Sequence, residues 1–539
     1  MRKIWKTPRL LLLVAMMALA MSLRAQDNSD SSVSLADAKV DALAREELQL
    51  DYSGVKGYFE EAYRLYPSVP QGVLEAVAFT YTRFHCPSPS DVQDSGARDM
   101  PPLHGVMGLT LNGKGVFREN LKLISRLSGV PVADICTDGR AAVLAYAAAF
   151  SLLQDKYGCR SDSLCDVFPV LVELSELPLG DATVQELFAI GVPRWDLNRH
   201  PELFPMMSSL YAICLFLADT AGSVLGSPGL NVDFRVLFGE NLRWLVSPAV
   251  KLGRAPRKGV GECSSADYPG AVWMPAASCN YTVGRTLTVS NVTIHYTQGT
   301  YAGSIAWFQN CNARASAHYV IRSIDGQVTQ MVAEADKAWH VGSENGYTVG
   351  IEHEAYGDIR NFFTTAMYHS SATLVRDICA RRPNISPLRT FFRDTLDNGT
   401  ALNTGVHSLG NAASCTQIRG HQHYPNQSHT DPGPFWDWNY YYKLLNPIAS
   451  VELYADTSGV FCDSGGPCAD YGDDERRIVL VQVSGADSVE LDFTTFDLEA
   501  DYDFMWIYEG TTPFAPLIGR WNTVSPGRVV ARGDRKSVV

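Results

Sequence analysis

The amino-acid sequence predicts a multidomain protein in which an α-helical domain precedes an α/β domain and a β-sandwich. The chain has 539 residues, which is too long for one hydrophobic core. Apolar residues recur at helical spacing in the N-terminal part, strands and helices alternate after it, and period-two alternation prevails towards the C-terminus. These changes of pattern define the predicted domains.

Residues 1–25 have the features of a secretory signal peptide: a basic start, a short apolar run and a small residue, Ala25. A membrane anchor is the alternative, although the apolar run is short for a span. The Ser/Asp-rich segment 26–40 is expected to be a disordered leader. The mature chain is therefore expected to have no membrane span and to be secreted, periplasmic or held in the cell envelope.

The charge balance argues against two classes of partner. The chain contains 45 basic and 58 acidic residues, and the basic residues that precede Gln26 would be lost with the signal peptide. Such an acidic surface disfavours nucleic acid and anionic lipid as partners. The sequence predicts no oligomeric state.

Twelve cysteines in an exported chain favour disulfide bonds. The candidate pairs, from the shortest separations upwards, are Cys159/Cys165, Cys462/Cys468 and Cys263/Cys279. No Cys-x-x-Cys spacing occurs, so the cysteines are not predicted to bind metal.

Residues 41–215 are predicted to form the helical domain. The runs TYTRF, HGVMGLTLN and AAVLAYAAAF follow one another in an order that resembles lysozyme-like domains of the lytic transglycosylase type. Tyr81 stands where that family carries its catalytic acid, and a phenol cannot protonate a glycosidic oxygen as a carboxylic acid does. We therefore predict an inactive glycan-binding or scaffolding domain, with an unrelated helical bundle as the alternative. Residues 216–264 are predicted to be a linker with some packed pieces.

Residues 265–447 are predicted to be the α/β domain. A strand is expected over Val292 to Tyr296, a helix after it, and a hairpin that turns at Asp325 and Gly326. The run TVGIEHEA is a further strand, and helices are expected in NFFTTAMYHSSATLVRDICARR and WDWNYYYKLL. This order predicts a mixed central sheet flanked by helices.

Two distant runs, NVTIHYTQG and GHQHYPNQSHTDPGPFWDW, suggest a zinc site. His295, His421 and Asp431 would supply two neutral imidazoles and one carboxylate. Three protein ligands leave a fourth position of Zn²⁺ open for water, as in catalytic zinc sites. His423 is the alternative to His421.

The motifs VTIHYTQGT, SAHYVIRSIDGQ, YTVGIEHEA and GH followed by DPGP resemble, in this order, zinc-dependent N-acetylmuramoyl-L-alanine amidases, whose fold is shared with peptidoglycan recognition proteins. The resemblance implies zinc as cofactor, peptidoglycan as partner, and hydrolysis of the amide between N-acetylmuramic acid and L-alanine. It favours His421, because the second ligand of the family precedes its Asp by ten residues. A non-catalytic peptidoglycan-binding protein is the alternative, and Asp431 favours catalysis.

The resemblance also implies roles for residues around the site. Glu352 and Glu354 share one face of a strand, and Glu352 matches a catalytic glutamate; an ion pair at the strand edge is the alternative. His429 stands where relatives often carry a lysine, and it is predicted to stabilise the oxyanion. The positions that match a substrate groove are His318, Trp339 and His340, with core packing as an alternative for Trp339.

Residues 450–539 are predicted to form the β-sandwich. The runs RIVLVQVSG and SVELDFTTFDLEADYDFMWIYEG resemble CUB-type domains. The last strands of such a domain are not found before Val539, so the sandwich is expected to be truncated.

Overall fold

In the computed structural model, the chain forms two compact units. One unit contains residues 41–385 and 390–441, and the other contains residues 1–40, 386–389 and 442–539. The described residues are 9–86, 100–159, 164–188, 196–220, 232–246, 266–356, 359–387, 389–391, 404–409, 416–446, 451–463, 477–500, 503–510, 516–532 and 535–538, with the side chains of the first helix described from residue 36.

The N-terminal part is helical, as predicted. Its helices are α1 Arg9–Leu65, α2 Val73–Thr82, α3 Asn120–Ser128, α4 Val132–Thr137, α5 Gly139–Tyr157, α6 Leu164–Leu174, α7 Val184–Phe188, α8 Phe204–Leu215, α9 Phe234–Phe238 and α10 Leu242–Leu245. Two short antiparallel strands, β1 Leu103–His104 and β2 Leu109–Thr110, lie between α2 and α3. Local chemistry sets the ends of α5, since the Asp138 carboxylate accepts the Arg140 and Ala141 N–H groups and Gly158 ends the helix in the left-handed conformation.

Helix α1 differs from the prediction, because it runs through the segment 26–40 that was expected to be a disordered leader. The residues that follow this segment, DALAREELQL, are mostly strong helix formers. A helix once nucleated extends at low cost into flanking sequence, which is the physical reason for the difference.

The stretch Pro201–Ala218 is long and apolar enough to cross a membrane, but 78% of it is buried inside the fold. It includes α8, whose side chains pack in the core on every face. Burial of this kind identifies it as a core helix.

The α/β part is built on a six-stranded mixed sheet in the order β10-β5-β9-β6-β7-β3. Its strands are β3 Val272–Trp273, β5 Asn291–Tyr296, β6 Tyr319–Ile321, β7 Val328–Gln330, β9 Thr348–His353 and β10 Ile418–Gly420, and the short strands β4 Tyr281–Thr282 and β8 Lys337–Ala338 pair separately. The helices are α11 Tyr301–Phe308, α12 Thr365–Arg381 and α13 Trp438–Leu445. The predicted strand over 292–296, the hairpin and the three helices are confirmed.

The helical and α/β parts share one hydrophobic core. Phe117 stacks on Trp307 with ring centroids 6.0 Å apart, and Phe204 meets Tyr301 edge-on at 6.5 Å. Helices α9 and α10, in the segment predicted to be a linker, contribute buried residues to the same core. The helical part and the α/β part therefore belong to one compact unit with a common hydrophobic core.

The C-terminal strands form a β-structure of their own. The strands are β11 Val451–Tyr454, β12 Ile478–Gln482, β13 Ser488–Asp492, β14 Met505–Tyr508, β15 Leu517–Trp521, β16 Arg528–Arg532 and β17 Arg535–Val538. Five pair in the order β11-β12-β17-β14-β15, and β13 pairs with β16. Val479 and Ile507 of the first sheet pack against Val489 and Leu491 of the second.

The disulfide prediction for Cys279 is wrong. Cys279 is bonded to Cys311, with the sulfur atoms 2.01 Å apart, and not to Cys263. The fold brings the residues together, because Cys279 lies in the turn before β4 and Cys311 follows α11. The side chains of Cys165 and Cys468, which complete the other predicted pairs, lie outside the described residues.

Candidate metal centre

Three adjacent parallel strands bring the predicted site residues to one level of the sheet. On β5, His295 is directly opposite Glu352 of β9, and Ile294 is opposite Gly420 of β10. His421 follows Gly420 immediately, in a single turn of 3₁₀-helix. Paired residues on neighbouring strands point to the same face, so His295 and Glu352 share that face.

The third candidate ligand, Asp431, comes from the loop after this turn. Its carbonyl oxygen accepts the Gln422 N–H at 3.1 Å, which holds the loop against the turn. A Cβ atom on Gly420 would lie 2.4 Å from Cδ of Pro432 and 3.1 Å from the Asp431 carbonyl oxygen. Glycine is therefore required at 420 for the Asp431 loop to approach the strand.

The structure brings His295, His421 and Asp431 together as predicted. Nδ1 of His295 lies 2.7 Å from Oδ2 of Asp431, and Nδ1 of His421 lies 3.2 Å from Oδ1. One ligand atom from each residue falls within 4.8 Å of the others, and all three residues are buried. One divalent cation could reach all three.

The electrostatics of the cluster suit a cation. Burial lowers the pKa of His295 to about 4, although the neighbouring Asp431 opposes the shift. Burial alone would raise the pKa of Asp431, but the His421 and His295 rings bring it below its usual range. At neutral pH the imidazole of His295 is thus uncharged and the carboxylate ionised, which are the forms that bind zinc.

His423, the alternative second ligand, lies away from the cluster. Its Nδ1 atom accepts the Gly420 N–H at 3.0 Å, and its ring packs against Phe391 with centroids 4.0 Å apart. Its role in the structure is to brace the turn that carries His421.

The two glutamates of the GIEHE run do different things. Glu352 is 3% exposed, and burial together with the negative charge of Asp431 raises its pKa well above the ordinary value. Its Oε2 atom is buried without a hydrogen-bond partner among the described residues. Glu354 accepts the N–H groups of Tyr301 and Ser323 at 2.9 and 2.7 Å, so it holds the start of α11 and the loop after β6.

Two predicted groove residues, Trp339 and His340, and the predicted oxyanion donor, His429, are placed in three different ways. Trp339 is half-buried, and its Nε1–H donates to Thr282 at 3.0 Å. His340 lies against the cluster, with Nδ1 2.9 Å from Nε2 of His295. His429 stacks beside His421 with ring centroids 4.7 Å apart.

The prediction that His318 lines the groove is wrong, because this side chain has no exposed surface. Nε2 of His318 lies 2.5 Å from Nη2 of Arg285, and Nδ1 accepts the Gly350 N–H at 3.0 Å. Arg285 also donates to the carbonyl oxygens of Glu334 and Thr348. The buried His318 and the half-buried Arg285 thus support β9, the strand that carries Glu352.

Three supporting residues were missed by the sequence analysis. His353 contacts the carbonyl oxygen of His295 through Nδ1 at 2.8 Å, Gln427 contacts Nε2 of His421 at 2.9 Å, and Thr348 contacts His340 at 3.1 Å. Only His353, as a histidine at the end of a buried strand run, carried a signal in the sequence. Gln427 and Thr348 have ordinary sequence surroundings.

An α/β sheet carries two buried imidazoles and one carboxylate beside a glutamate oxygen that has no hydrogen-bond partner in the described part of the chain. This arrangement defines a candidate metallohydrolase. Comparison with known proteins makes this class specific. Residues 277–434 match the family model described as N-acetylmuramoyl-L-alanine amidase. The chain is 38% identical over 182 residues to N-acetylmuramoyl-L-alanine amidase A of Achromobacter lyticus, an alignment that covers 33% of this chain and 96% of that protein.

More distant similarities are to other amidases. The chain is 26% identical over 148 residues to 1,6-anhydro-N-acetylmuramyl-L-alanine amidase AmpD of Citrobacter freundii, covering 26% of this chain and 62% of that protein. The structure of the amidase AmiD from E. coli, in complex with anhydro-N-acetylmuramic acid-L-Ala-D-gamma-Glu-L-Lys, matches at 21% identity with a TM-score of 0.22, covering 30% of this chain and 60% of that chain. On the family model and the Achromobacter relative, this protein belongs to the N-acetylmuramoyl-L-alanine amidase family, a family of peptidoglycan amidases.

Proposed function

We propose that the protein is a secreted peptidoglycan hydrolase that cleaves the amide bond between N-acetylmuramic acid and the L-alanine of the stem peptide. Zinc would be held by His295, His421 and Asp431. The observation that carries the proposal is the convergence of these three buried side chains within 4.8 Å, in a chain that belongs to this family. A zinc ion with three protein ligands polarises a carbonyl group and lowers the pKa of a water molecule.

Glu352 is proposed as the general base. It lies opposite His295 in the sheet, and its raised pKa suits it to accept a proton at neutral pH. The oxygen of water attacks the carbonyl carbon of the lactyl group while its proton passes to Glu352. The C–N bond then breaks, and Glu352 returns the proton to the amine of L-alanine.

Two other residues would act on the substrate. His429, stacked beside His421, is placed to donate to the oxyanion that forms when the carbonyl is attacked. Trp339 is half-buried, and its indole ring would offer an aromatic surface to a glycopeptide. Peptidoglycan is the proposed partner.

The helical part is proposed to be a scaffold without glycosidase activity. The Tyr81 hydroxyl is buried 3.1 Å from Oγ of Ser209 and 3.4 Å from Oγ of Ser175. The cavity next to it has a volume of about 10 Å³, which suits one water molecule and no sugar ring. The sandwich resembles CUB-type domains, and no function is assigned to it.

Secretion is proposed from the signal-like residues 1–25. Expression of the full chain in its host, followed by N-terminal sequencing of the protein outside the cytoplasm, tests this point. A mature N-terminus near residue 26 is expected, and a cytoplasmic protein that retains Met1 would contradict it.

The reaction is tested with the purified full-length protein on purified cell wall, followed by mass spectrometry of the products. We expect free stem peptides that begin with L-alanine, about one zinc ion per chain, and loss of activity with a chelator that added zinc restores. An intact wall despite bound zinc would instead indicate a peptidoglycan-binding protein. New reducing ends would indicate that the helical part cleaves glycan.

A further inference from the structure

The imidazole of His295 is the start of a hydrogen-bonded chain that leads away from the candidate metal centre. Its Nε2 atom lies 2.9 Å from Nδ1 of His340, and Nε2 of His340 lies 3.1 Å from Oγ1 of Thr348. The Thr348 hydroxyl lies 3.0 Å from the carbonyl oxygen of Glu344. The chain ends on an acceptor that cannot donate.

That end determines where each proton lies. Because the Glu344 carbonyl only accepts, the Thr348 hydroxyl donates to it and must accept from Nε2–H of His340. A neutral imidazole carries one proton, and in His340 that proton is the one on Nε2. Nδ1 of His340 is then an acceptor, and Nε2 of His295 is the donor. The chain thereby favours the tautomer of His295 that leaves the Nδ1 lone pair free to bind a cation shared with Asp431.

A second, separate contact does the same for the other imidazole. The Gln427 amide is oriented by its Nε2–H, which donates to the Pro425 carbonyl oxygen at 3.0 Å. Its Oε1 atom therefore faces Nε2 of His421 at 2.9 Å and accepts that N–H. The proton of His421 is held on Nε2, and Nδ1 faces Oδ1 of Asp431.

We infer that His340 with Thr348, and Gln427, are positioning residues that hold both metal-binding imidazoles in the Nε2–H tautomer, so that both Nδ1 atoms are ready to bind a divalent cation. This inference rests on the proposed function for the identity of the metal. A ligand imidazole with its second nitrogen anchored in this way loses less orientational freedom when it binds, and loss of such an anchor typically costs about 10- to 100-fold in metal affinity.

The test measures the zinc dissociation constant of full-length variants by competition with a chromogenic chelator, and records the visible spectrum of the cobalt-substituted proteins. His340→Leu and Gln427→Met remove the acceptors, and His340→Asn keeps an acceptor oxygen where Nδ1 was. His200→Leu is the matched control, because His200 is exposed and contacts Glu202 in the helical part.

We expect His340→Leu and Gln427→Met to bind zinc about 10- to 100-fold more weakly with an altered cobalt spectrum, and His340→Asn and the control to stay close to the parent. Circular dichroism of the metal-free proteins separates this effect from misfolding, and Thr348→Val, an isosteric change, repeats the test if a His340 variant does not fold.

Parent-like zinc affinity in both the His340→Leu and the Gln427→Met proteins, or a His340→Asn protein that binds zinc as weakly as His340→Leu, would overturn the inference alone. A parent protein that binds zinc tightly but leaves cell wall intact would overturn only the proposed function.

Discussion

Nδ1 of His295 lies 2.7 Å from Oδ2 of Asp431, although 136 positions separate the two residues in the chain. Both atoms are acceptors when the imidazole is neutral with its proton on Nε2 and the carboxylate is ionised. Two acceptors at this distance repel each other unless a proton or a metal cation lies between them. The relationship makes Asp431 the most direct place to test the candidate metal centre.

Asp431→Asn replaces a carboxylate oxygen by a neutral amide of nearly the same shape. We expect zinc affinity to fall by more than about 100-fold, because loss of a ligand costs more than loss of an outer hydrogen bond, and amidase activity to fall with it. Metal analysis after gel filtration and product assays on cell wall measure the two effects.

Asp437→Asn is the control, since Asp437 caps α13 through the Tyr440 N–H and lies outside the cluster. Stoichiometric zinc in the Asp431→Asn protein would show that the carboxylate is not a ligand.

Glu352→Gln is expected to separate metal binding from proton transfer. The amide cannot accept the proton of water, so kcat should fall by about 10²- to 10⁴-fold while the zinc content stays that of the parent. The measurement is the initial rate of stem-peptide release as a function of pH. Burial and Asp431 raise the pKa of Glu352, and a protonated Glu352 cannot act as a base. The activity of the parent should therefore fall as the pH falls, and the residual activity of the variant should not show this pH dependence.

Equal kcat in the parent and the Glu352→Gln protein would assign the base elsewhere. Glu354→Gln is a poor control, because Glu354 holds two backbone N–H groups. Glu344→Gln, which changes a carboxylate in the 3₁₀ turn before β9, is the better one.

Gly350→Ala tests the packing behind His340 without removing any polar group. A Cβ atom at 350 would lie 2.5 Å from Nδ1 of His340, a distance that forces the ring to move. We expect zinc affinity to fall about 10-fold or more, within the range for lost outer contacts. Chelator competition measures the affinity.

Gly57→Ala in α1 is the matched control, because a Cβ atom there meets nothing within 4 Å. Unchanged zinc affinity in the Gly350→Ala protein would show that the site tolerates displacement of His340.

Arg322→Met probes the shared core of the helical and α/β parts. The guanidinium donates to both Asp325 oxygens at 2.8 and 2.7 Å and to the Leu245 carbonyl oxygen of α10 at 2.7 Å. Removal of the guanidinium leaves the Asp325 carboxylate buried without its ion-pair partner. This should lower the free energy of unfolding by about 3–5 kcal/mol. Thermal unfolding should show a lower Tm for the helical and α/β parts together.

The double variant Arg322→Met/Asp325→Leu should recover much of this loss, since no buried charge remains. Arg140→Met is the control, because its ion pair with Glu61 is exposed. Separate unfolding of the helical part at the parent temperature would contradict a shared core.

Local patterns in the sequence were sufficient to predict several strands and helices of the fold. The β-branched run that ends in His295 and Tyr296 predicted a strand. The resemblance to the amidase family, whose second ligand precedes its Asp by ten residues, favoured His421 as the histidine near Asp431. Contacts between residues that are distant in the sequence could not be predicted from local patterns. Cys279 pairs with Cys311 because a turn and a helix end meet in space, and the period of an apolar helix such as α8 shows that it is buried but not which partner covers it.

The sequence also did not predict the hydrogen bonds that support the site. His318 matched a groove position in sequence, but its side chain has no exposed surface and contacts the half-buried Arg285. Gln427 is one polar residue among many in its loop, and only the direction of its amide reveals its contact with His421.

The cavity beside Tyr81 contains a carboxyl group whose titration should be visible in the stability of the protein. Burial raises the pKa of Glu176 to about 7 from 4.5, although hydrogen bonds and Arg118 oppose the shift. The folded protein therefore holds this proton more tightly than the unfolded chain. Its contribution to stability is complete below about pH 4.5 and is lost as the pH rises through 7.

Glu176→Gln removes this dependence, because the amide stays neutral at every pH. Each pKa unit corresponds to about 1.36 kcal/mol. Between about pH 4.5 and pH 7.5, the free energy of unfolding of the parent should therefore fall by about 3 kcal/mol, and that of the variant should not show this fall. Chemical unfolding of both proteins across that range measures the difference. We expect the two curves of unfolding free energy against pH to converge towards acidic pH. Parallel curves would show that Glu176 has an ordinary pKa in the folded state.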